Sequence, residues 1–563
     1  MGLNKQIRNI VGYLKMTSAQ KFYWQVLTLG NISSFTLLYT IAGWFPGFLV
    51  FFTLTYSIVG AYDLTLSKHT LNRLYPVLAY FRYFFESIRT EVQQYFIANN
   101  TEEMPFNREQ RDLVYRRAKS VTDTIPFGTQ RDLMQTNYQS IWHSLAPKTI
   151  KDESKHVTVG GRQCSKPYKA SRLNISAMSY GSLSAEAIEA MNLGAGAGGF
   201  YHNTGEGGVS SYHLKHGGDL VWQIGTGLFG CRNEDGRFNP VMFAKTAQLA
   251  QVKMIEIKLS QGAKPGHGGV LPKAKITDEI AQIRGVSKEE DCVSPAINPE
   301  CNSPFELLSF VSQLRELSGG KPIGIKLCVG NPAEFLCLGK AMLESNIYLD
   351  FITVDGAEGG TGAAPVEFSN RLGMTCLEGT YFVHQALVGL GLRKHIRVIS
   401  AGKTASGFDM LNKVAFGADI VNAARTFMMS LGCIQSRQCD TNMCPTGVAT
   451  QDKNRSKAID IEVKGKRVTS FHHHTLNSFF ELLGSMGLDD VSQLTYNMIK
   501  RRTPNGMLES NTHTVPELND SQLTQDNITG MWLTWWNQAS SDTFYVNDIA
   551  PLVPPELAVK QIF

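Results

Sequence analysis

The densest chemistry in this chain lies in the run Cys433-Ile-Gln-Ser-Arg-Gln-Cys439-Asp-Thr-Asn-Met-Cys444-Pro445. Thiolates are the ligands of iron–sulfur clusters, and a cysteine followed by proline closes many such runs. Zinc usually takes a fourth ligand, and no histidine lies between these cysteines, although His472–His474 follow. Three thiolates alone suit a three-iron cluster; the other reading is three ordinary buried cysteines. The tri-histidine reads as structural or surface-exposed. The remaining seven cysteines, scattered from Cys164 to Cys376, form no disulfide framework in a chain this long, which implies a reducing compartment.

A second set of reactive side chains sits in glycine-rich turns that follow apolar runs. The turns are Ser179-Tyr180-Gly181, Asn203-Thr204-Gly205-Glu206-Gly207-Gly208, Gln261-Gly262-Ala263-Lys264-Pro265-Gly266 and Asp355-Gly356-Ala357-Glu358-Gly359-Gly360-Thr361-Gly362. The runs before them read as buried parallel strands: Leu173–Met178, Gly199–His202, Met254–Leu259, Pro322–Cys328, Asp350–Val354, Arg397–Ser400 and Asp419–Asn422, with Val221–Ile224 as an eighth. Helical patterns separate the runs, so the fold class is α/β. Polar turns after nearly every strand favour a closed (β/α)8 TIM barrel, because an open sheet would concentrate them at one switch point. Two further turns, Ser400-Ala401-Gly402-Lys403 and Asn422-Ala423-Ala424-Arg425, stand where barrels commonly bind phosphate, after the last two strands. Gly194–Gly199 precedes a strand-like run instead of following one, so it is no dinucleotide fingerprint.

The ends of the chain carry different signals. No residue from Phe22 to Tyr62 is charged, which is long enough for two spans, with helices near 22–42 and 46–62 and a turn at Gly43–Gly47. Lys15 and Lys21 before the stretch and Lys68, Arg73 and Arg82 after it favour a transmembrane hairpin with both ends in the cytoplasm. A buried soluble hairpin and a single tilted span are the alternatives. The expected division is a membrane anchor over 1–62, a helical connector over 63–150, the barrel over 151–485 with its cysteine loop 433–444, and a C-terminal extension over 486–563. In the connector, Leu71-Leu74-Val77-Leu78-Phe81 has helical spacing. A net charge of +5 is too small and dispersed to argue for nucleic acid.

Taken together, Ala177–Gly181, Asn203–Gly208, Lys258–Gly269, Gly359–Ala363 and Gly432–Gln451 resemble the FMN-binding synthase domain of glutamate synthase. The anchor and Pro105-Phe106-Asn107-Arg108 resemble its stand-alone, membrane-attached members. The resemblance implies FMN, a [3Fe–4S] cluster on Cys433, Cys439 and Cys444, and L-glutamate formed from 2-oxoglutarate through 2-iminoglutarate. It implies a catalytic set of Glu206, Lys264 and Lys326. It places the substrate on Lys258, Gln261, Lys264 and Arg284, since a dicarboxylate needs cations and a guanidinium grips one with two bonds. It places the flavin against Met178, Ser179, Gln261, Lys326, Gly359, Gly360, Ser400, Gly402, Ala424 and Arg425, with Lys326 stabilising negative charge on the reduced ring.

Departures from the family pattern open other readings. Met1-Gly2-Leu3 leads directly into the apolar stretch, so glutamine hydrolysis is not expected of this chain, and a separate glutaminase could supply ammonia. His267 stands where the full-length enzymes usually carry glutamate. Another amine, such as methylamine, therefore stays open, as does a membrane-tethered flavin and iron–sulfur electron-transfer module. The electron donor is expected to be another protein, ferredoxin-like or a reductase subunit. The expected location is the cell inner membrane, multi-pass, with the catalytic domain cytoplasmic.

Overall fold

The computed structural model describes residues 16–41, 43–510, 515–525 and 527–546. Parts of the expected anchor (1–15 and 42) and of the expected extension (511–514, 526 and 547–563) lie outside the described residues. The chain forms two compact units, Met1–Met104 and Pro105–Phe563. The division falls inside the expected connector and assigns its first half to the N-terminal unit.

In the N-terminal unit, helical turns run over Ser18–Gln25, Val26–Gly30 (with π-type bonding) and Asn31–Thr40, followed by helix α1 over Trp44–Thr65. Polar residues of the first arm find partners on α1. Asn31 Nδ2 donates to Ser57 Oγ (2.7 Å), Tyr23 OH donates to the Ser57 carbonyl (2.9 Å), and Ser34 and Thr53 share a hydroxyl bond (2.9 Å). Only α1, among the described residues, is long and apolar enough to cross a membrane. The connector's stripe is not one helix. Pro76 divides Thr70–Leu74 from Ala79–Ser87, because a proline disfavours helical geometry at the residue before it. Val77 then takes φ +62°, and its N–H donates to the buried carboxylate of Asp63 (2.9 Å).

In the second unit, all eight expected strands form and close a parallel barrel: β1 Leu173–Ile175, β2 His202–Asn203, β3 Leu220–Ile224, β4 Val252–Lys258, β5 Ile323–Leu327, β6 Phe351–Asp355, β7 Arg397–Ala401 and β8 Ile420–Ala423. Both faces of these strands are buried, which is why they read as continuous apolar runs. An antiparallel hairpin, His156–Val159 with Tyr168–Ser171, plugs the end where the strands begin. Its Val157, Val159 and Ala170 pack with Val221, Met254, Phe351, Ile399 and Ile420 of the barrel interior. A polar layer lies higher up, where Glu256 accepts from Asn203 Nδ2 (2.8 Å), Gln223 Nε2 (2.7 Å) and Thr353 Oγ1 (2.6 Å). Outside the barrel, Ile461–Ser485 packs on Ala185–Gly198, and a three-stranded sheet joins Gln139–Ile141 to Ile499–Arg502 and Leu508–Ser510.

Candidate active site

The C-terminal ends of the strands open into one cavity of about 220 Å³. Register sets its centre. Lys258 at the end of β4 lies beside Lys326 of β5, and both reach the strand ends. Each buried ammonium has its own carboxylate: Lys258 Nζ is 2.8 Å from Glu206 Oε1, and Lys326 Nζ is 3.4 Å from Asp355 Oδ2. Burial pushes the Glu206 carboxyl up, but Lys258, then Arg284 and Lys264, outweigh it and hold it below the usual carboxylate range. Burial works against the Lys326 charge, and Asp355 and Glu256 more than reverse it. Asp355 also accepts from the Gly262 N–H (3.0 Å), tying β6 to the Gln261–Lys264 turn. That turn runs so close to the next loop that a Cβ on Gly262 would overlap the Gly356 carbonyl oxygen.

Four other cations at this end of the barrel have no carboxylate partner among the described residues. Arg284, buried, donates from Nη2 to Ser179 Oγ and the Tyr180 carbonyl, both at 3.3 Å, and lies over the Phe229 ring. Lys264 donates to the Ala363 carbonyl (2.8 Å), and burial and Lys258 push its pKa down to about 8. Lys275 donates to the carbonyls of Ser182 (2.6 Å) and Cys439 (3.2 Å). Arg425, half-buried, donates to the Glu358 carbonyl (2.8 Å) and lies over Phe106. Three polar atoms in the cavity wall are shut from solvent without any partner: Glu206 Oε2, Gln261 Nε2 and Arg284 Nε.

The expected site residues mostly meet here. Met178, Ser179, Glu206, Lys258, Gln261, Arg284, Lys326, Gly359, Gly360, Gly402, Ala424 and Arg425 all line the cavity. Lys264 and Ser400 do not. Lys264 turns toward the Ala363 carbonyl, and the Ser400 hydroxyl is held by Cys376 Sγ and Thr380 Oγ1, each at 3.0 Å. Cys439 lines the cavity as well. Sequence reasoning missed Lys275 and Phe106 as parts of the site, and gave Asp355, in its reactive turn, no role of its own. Asp355 was legible as a strand-end carboxylate, whereas Lys275 follows no barrel strand and carried no signal.

The cysteine loop is fastened to this wall. Gln435 exchanges two hydrogen bonds with the Phe106 backbone (3.1 and 3.0 Å), Tyr115 OH donates to the Cys433 carbonyl (2.8 Å), and Asn442 Nδ2 donates to the Ala274 carbonyl (2.9 Å). All three thiols are free of disulfides. Burial pushes Cys433 up to about 12 and raises Cys439, and each feels the charge of Cys444. Burial also raises Cys444, but backbone N–H groups of Ala449, Thr446 and Val448 and the Thr446 hydroxyl prevail and bring it below the ordinary thiol range. Among the described residues, no group of three or more His, Cys, Asp or Glu is placed to hold a metal ion. His472 is structural: it is buried and stacked on Phe200 at 3.9 Å.

The barrel with charged strand-end turns defines the class of protein, and comparison with known proteins narrows it. Residues 93–489 match the conserved region in glutamate synthase. The glutamate synthase large subunit-like protein YerD of Bacillus subtilis is 35% identical over 482 residues, covering 78% of this chain and 91% of that protein. An archaeal glutamate synthase [NADPH] of Methanocaldococcus jannaschii is 32% identical over 329 residues, covering 58% of this chain and 61% of its own length. Among solved structures, flavocytochrome b2 aligns over 74% of this chain and 85% of its own, at 11% identity and a TM-score of 0.38. The chain belongs to the glutamate synthase family defined by that conserved region. It is a glutamate synthase-like oxidoreductase.

Proposed function

We propose that this chain binds FMN and a [3Fe–4S] cluster and forms L-glutamate by reductive amination of 2-oxoglutarate. The observation that carries this reading is the excess of cations without carboxylates around one cavity, since such groups are stable in a buried site when an anion completes them. The cavity residues fit the flavin. Gly359, Gly360 and Gly402 present bare backbone to the cavity, and a Cβ on Gly360 would crowd the Arg425 side chain at 3.1 Å. Arg425 would hold the phosphate, Lys326 the electron-rich edge of the ring, and Met178 and Ser179 its flank. FMN would supply the hydride that reduces the imine.

The chain's own side chains do the rest. Arg284 grips one carboxylate of the substrate, Gln261 offers its unpartnered Nε2, and Lys264 adds charge behind them. Glu206 is ionised, so its free Oε2 accepts an N–H of the incoming ammonia or imine, while Lys258 holds the other oxygen. Cys433, Cys439 and Cys444 would hold the cluster, each thiolate on a different iron; what supports this is their spacing in one loop with Cys439 on the cavity wall. The electrons would come from a ferredoxin-like protein or a reductase subunit, and the nitrogen from ammonia or a separate glutaminase.

The N-terminal unit completes the reading as a membrane tether. Helix α1 exposes Phe48, Phe51, Phe52 and Ile58, and Trp44 stands at its start as an interfacial anchor. The first arm pairs its polar groups with α1, as a second span would have to in lipid. We place the protein in the cell inner membrane with the barrel in the cytoplasm. Extraction from membranes by detergent and not by high salt supports this placement, and release by salt alone rejects it.

The test of function is anaerobic. The detergent-solubilised protein is reduced chemically and given 2-oxoglutarate with ammonium, while flavin reoxidation and L-glutamate are followed together. Glutamate appearing in step with reoxidation establishes the reaction. Reoxidation only with methylamine moves the function to an N-methylated product, and no amino acid with any amine leaves an electron-transfer module.

A further inference from the structure

Lys275 is the one cation of this site that the expected reaction does not use. It is 2% exposed, and its ammonium donates to two neutral carbonyls, Ser182 O at 2.6 Å and Cys439 O at 3.2 Å. A buried charge without an opposite charge costs several kcal/mol, so something must compensate it. Burial pushes its pKa down to about 8, and the groups that face it are the Cys439 and Cys444 sulfurs, the like charge of Arg284, and Asp440. No carboxylate is close enough to pair with it among the described residues. The ammonium faces the cysteine loop, where ligating thiolates would compensate it.

Its position is equally specific. Ser182 belongs to the turn after β1 that carries Met178 and Ser179, the flavin-side wall of the cavity. Cys439 belongs to the cysteine loop. Lys275 therefore joins the two walls through one side chain, and the Asn442 bond to the Ala274 carbonyl (2.9 Å) repeats the link one residue earlier. All of Met178, Ser179, Ser182, Lys275 and Cys439 line the same cavity.

We propose that Lys275 is a positioning residue for electron entry: its ammonium holds the cysteine loop against the flavin wall, and its positive charge raises the reduction potential of the cluster bound there. The proposal rests on the cluster in the function proposed above. A cluster that takes up one electron becomes more negative, and a nearby cation in a buried site stabilises the reduced form more than the oxidised one. Removing the charge lowers the potential; keeping the charge on a different side chain keeps it.

The test uses the full chain as wild type, Lys275→Met and Lys275→Arg. Iron and acid-labile sulfide are measured first, then the cluster is titrated by EPR-monitored potentiometry, with bound flavin as the control for an intact barrel. The expected result is an iron-containing wild type, a Lys275→Met protein whose reduced-to-oxidised ratio at a given potential falls about tenfold (about 59 mV for one electron), and a Lys275→Arg protein close to wild type. Loss of iron in Lys275→Met, with flavin kept and with iron retained in Lys275→Arg, also supports a role for the charge. A Lys275→Met protein with wild-type iron and potential overturns the proposal, as does equal loss of iron in both variants. Wild-type protein without iron overturns the cluster itself, and that failure is visible before any variant is compared.

Discussion

Two groups of cations meet at the strand ends of this barrel, and they are built on opposite principles. Lys258 and Lys326, on the strands themselves, each have a carboxylate within ion-pair distance, Glu206 and Asp355. Arg284, Lys264, Lys275 and Arg425, off the strands in the turns and helix ends around them, have only neutral acceptors. The paired lysines are electrically complete without a ligand, so their role is to give the cavity a fixed centre. The unpaired cations are complete only when anions arrive. One folded chain thus separates a scaffold that is stable alone from a receiving surface that is unsatisfied until loaded, and the proposed function puts its phosphate, dicarboxylate and cluster on that second surface.

The comparison breaks most visibly at Arg284. Removing a receiving cation abolishes recognition of its anion and leaves the scaffold standing. Arg284→Ala is expected to lower kcat/KM for 2-oxoglutarate by roughly 10³-fold (about 4 kcal/mol) with flavin content unchanged, checked by steady-state kinetics against the visible spectrum. Equal activity in this variant would move the dicarboxylate elsewhere. The paired group behaves in the opposite way. Lys258→Met leaves the Glu206 carboxylate buried without its cation and is expected to destabilise the barrel by about 3 kcal/mol. The double variant Lys258→Met with Glu206→Gln recovers most of that loss. Thermal unfolding of wild type, Lys258→Met, Glu206→Gln and the double variant measures the coupling, and additive losses would show that the pair is not a unit.

Much of this was legible in the sequence. The eight strands were, because a strand buried on both faces writes its burial as a continuous apolar run, and even two-residue β2 was found from the run around Gly199–His202. The receiving residues on strand ends and glycine turns were found for the same reason: Arg425 and Gln261 follow runs that announce them. What the sequence hid depends on contacts between distant segments. Lys275 gains its meaning only from Ser182 and Cys439, which the fold brings to it. Lys264 and Ser400 stand at the expected positions, yet their side chains bond to Ala363 and Cys376, and no local pattern records a rotamer. The connector's spacing does mark helices, and the sequence's Pro76 marks the break between Thr70–Leu74 and Ala79–Ser87.

Arg425 sharpens the comparison on the phosphate side. Its acceptor is the Glu358 carbonyl, and burial holds its pKa below the usual guanidinium value, against the pull of Asp355 and Glu358. Arg425→Gln is expected to weaken FMN binding roughly 30-fold, about 2 kcal/mol for a lost charge-assisted bond. Flavin titration of the apoprotein measures this. An unchanged affinity would mean that backbone groups at Gly359, Gly360 and Gly402 suffice.

The smallest effect is also the most discriminating, because it separates a charge that waits for a ligand from one that is already paired. Burial and Lys258 hold Lys264 at about 8, against an ordinary lysine value of 10.5. In the empty protein its charge is therefore full below pH 7 and disappears as the pH rises through 8. A dicarboxylate favours the charged form, so its dissociation constant should be flat below pH 7 and climb above pH 8, by at most about tenfold per pH unit for a single proton. Lys264→Arg, which stays charged, should flatten that climb. The same shift has the opposite sign for stability: between pH 8 and 10.5 the unfolded chain binds the proton that the folded chain has released, so this group's contribution to folding becomes more favourable as pH rises. Ligand affinity and stability should thus move in opposite directions over one window. If affinity does not fall above pH 8 in the wild type, Lys264 belongs with the scaffold, held on the Ala363 carbonyl, and Arg284 receives the substrate without it.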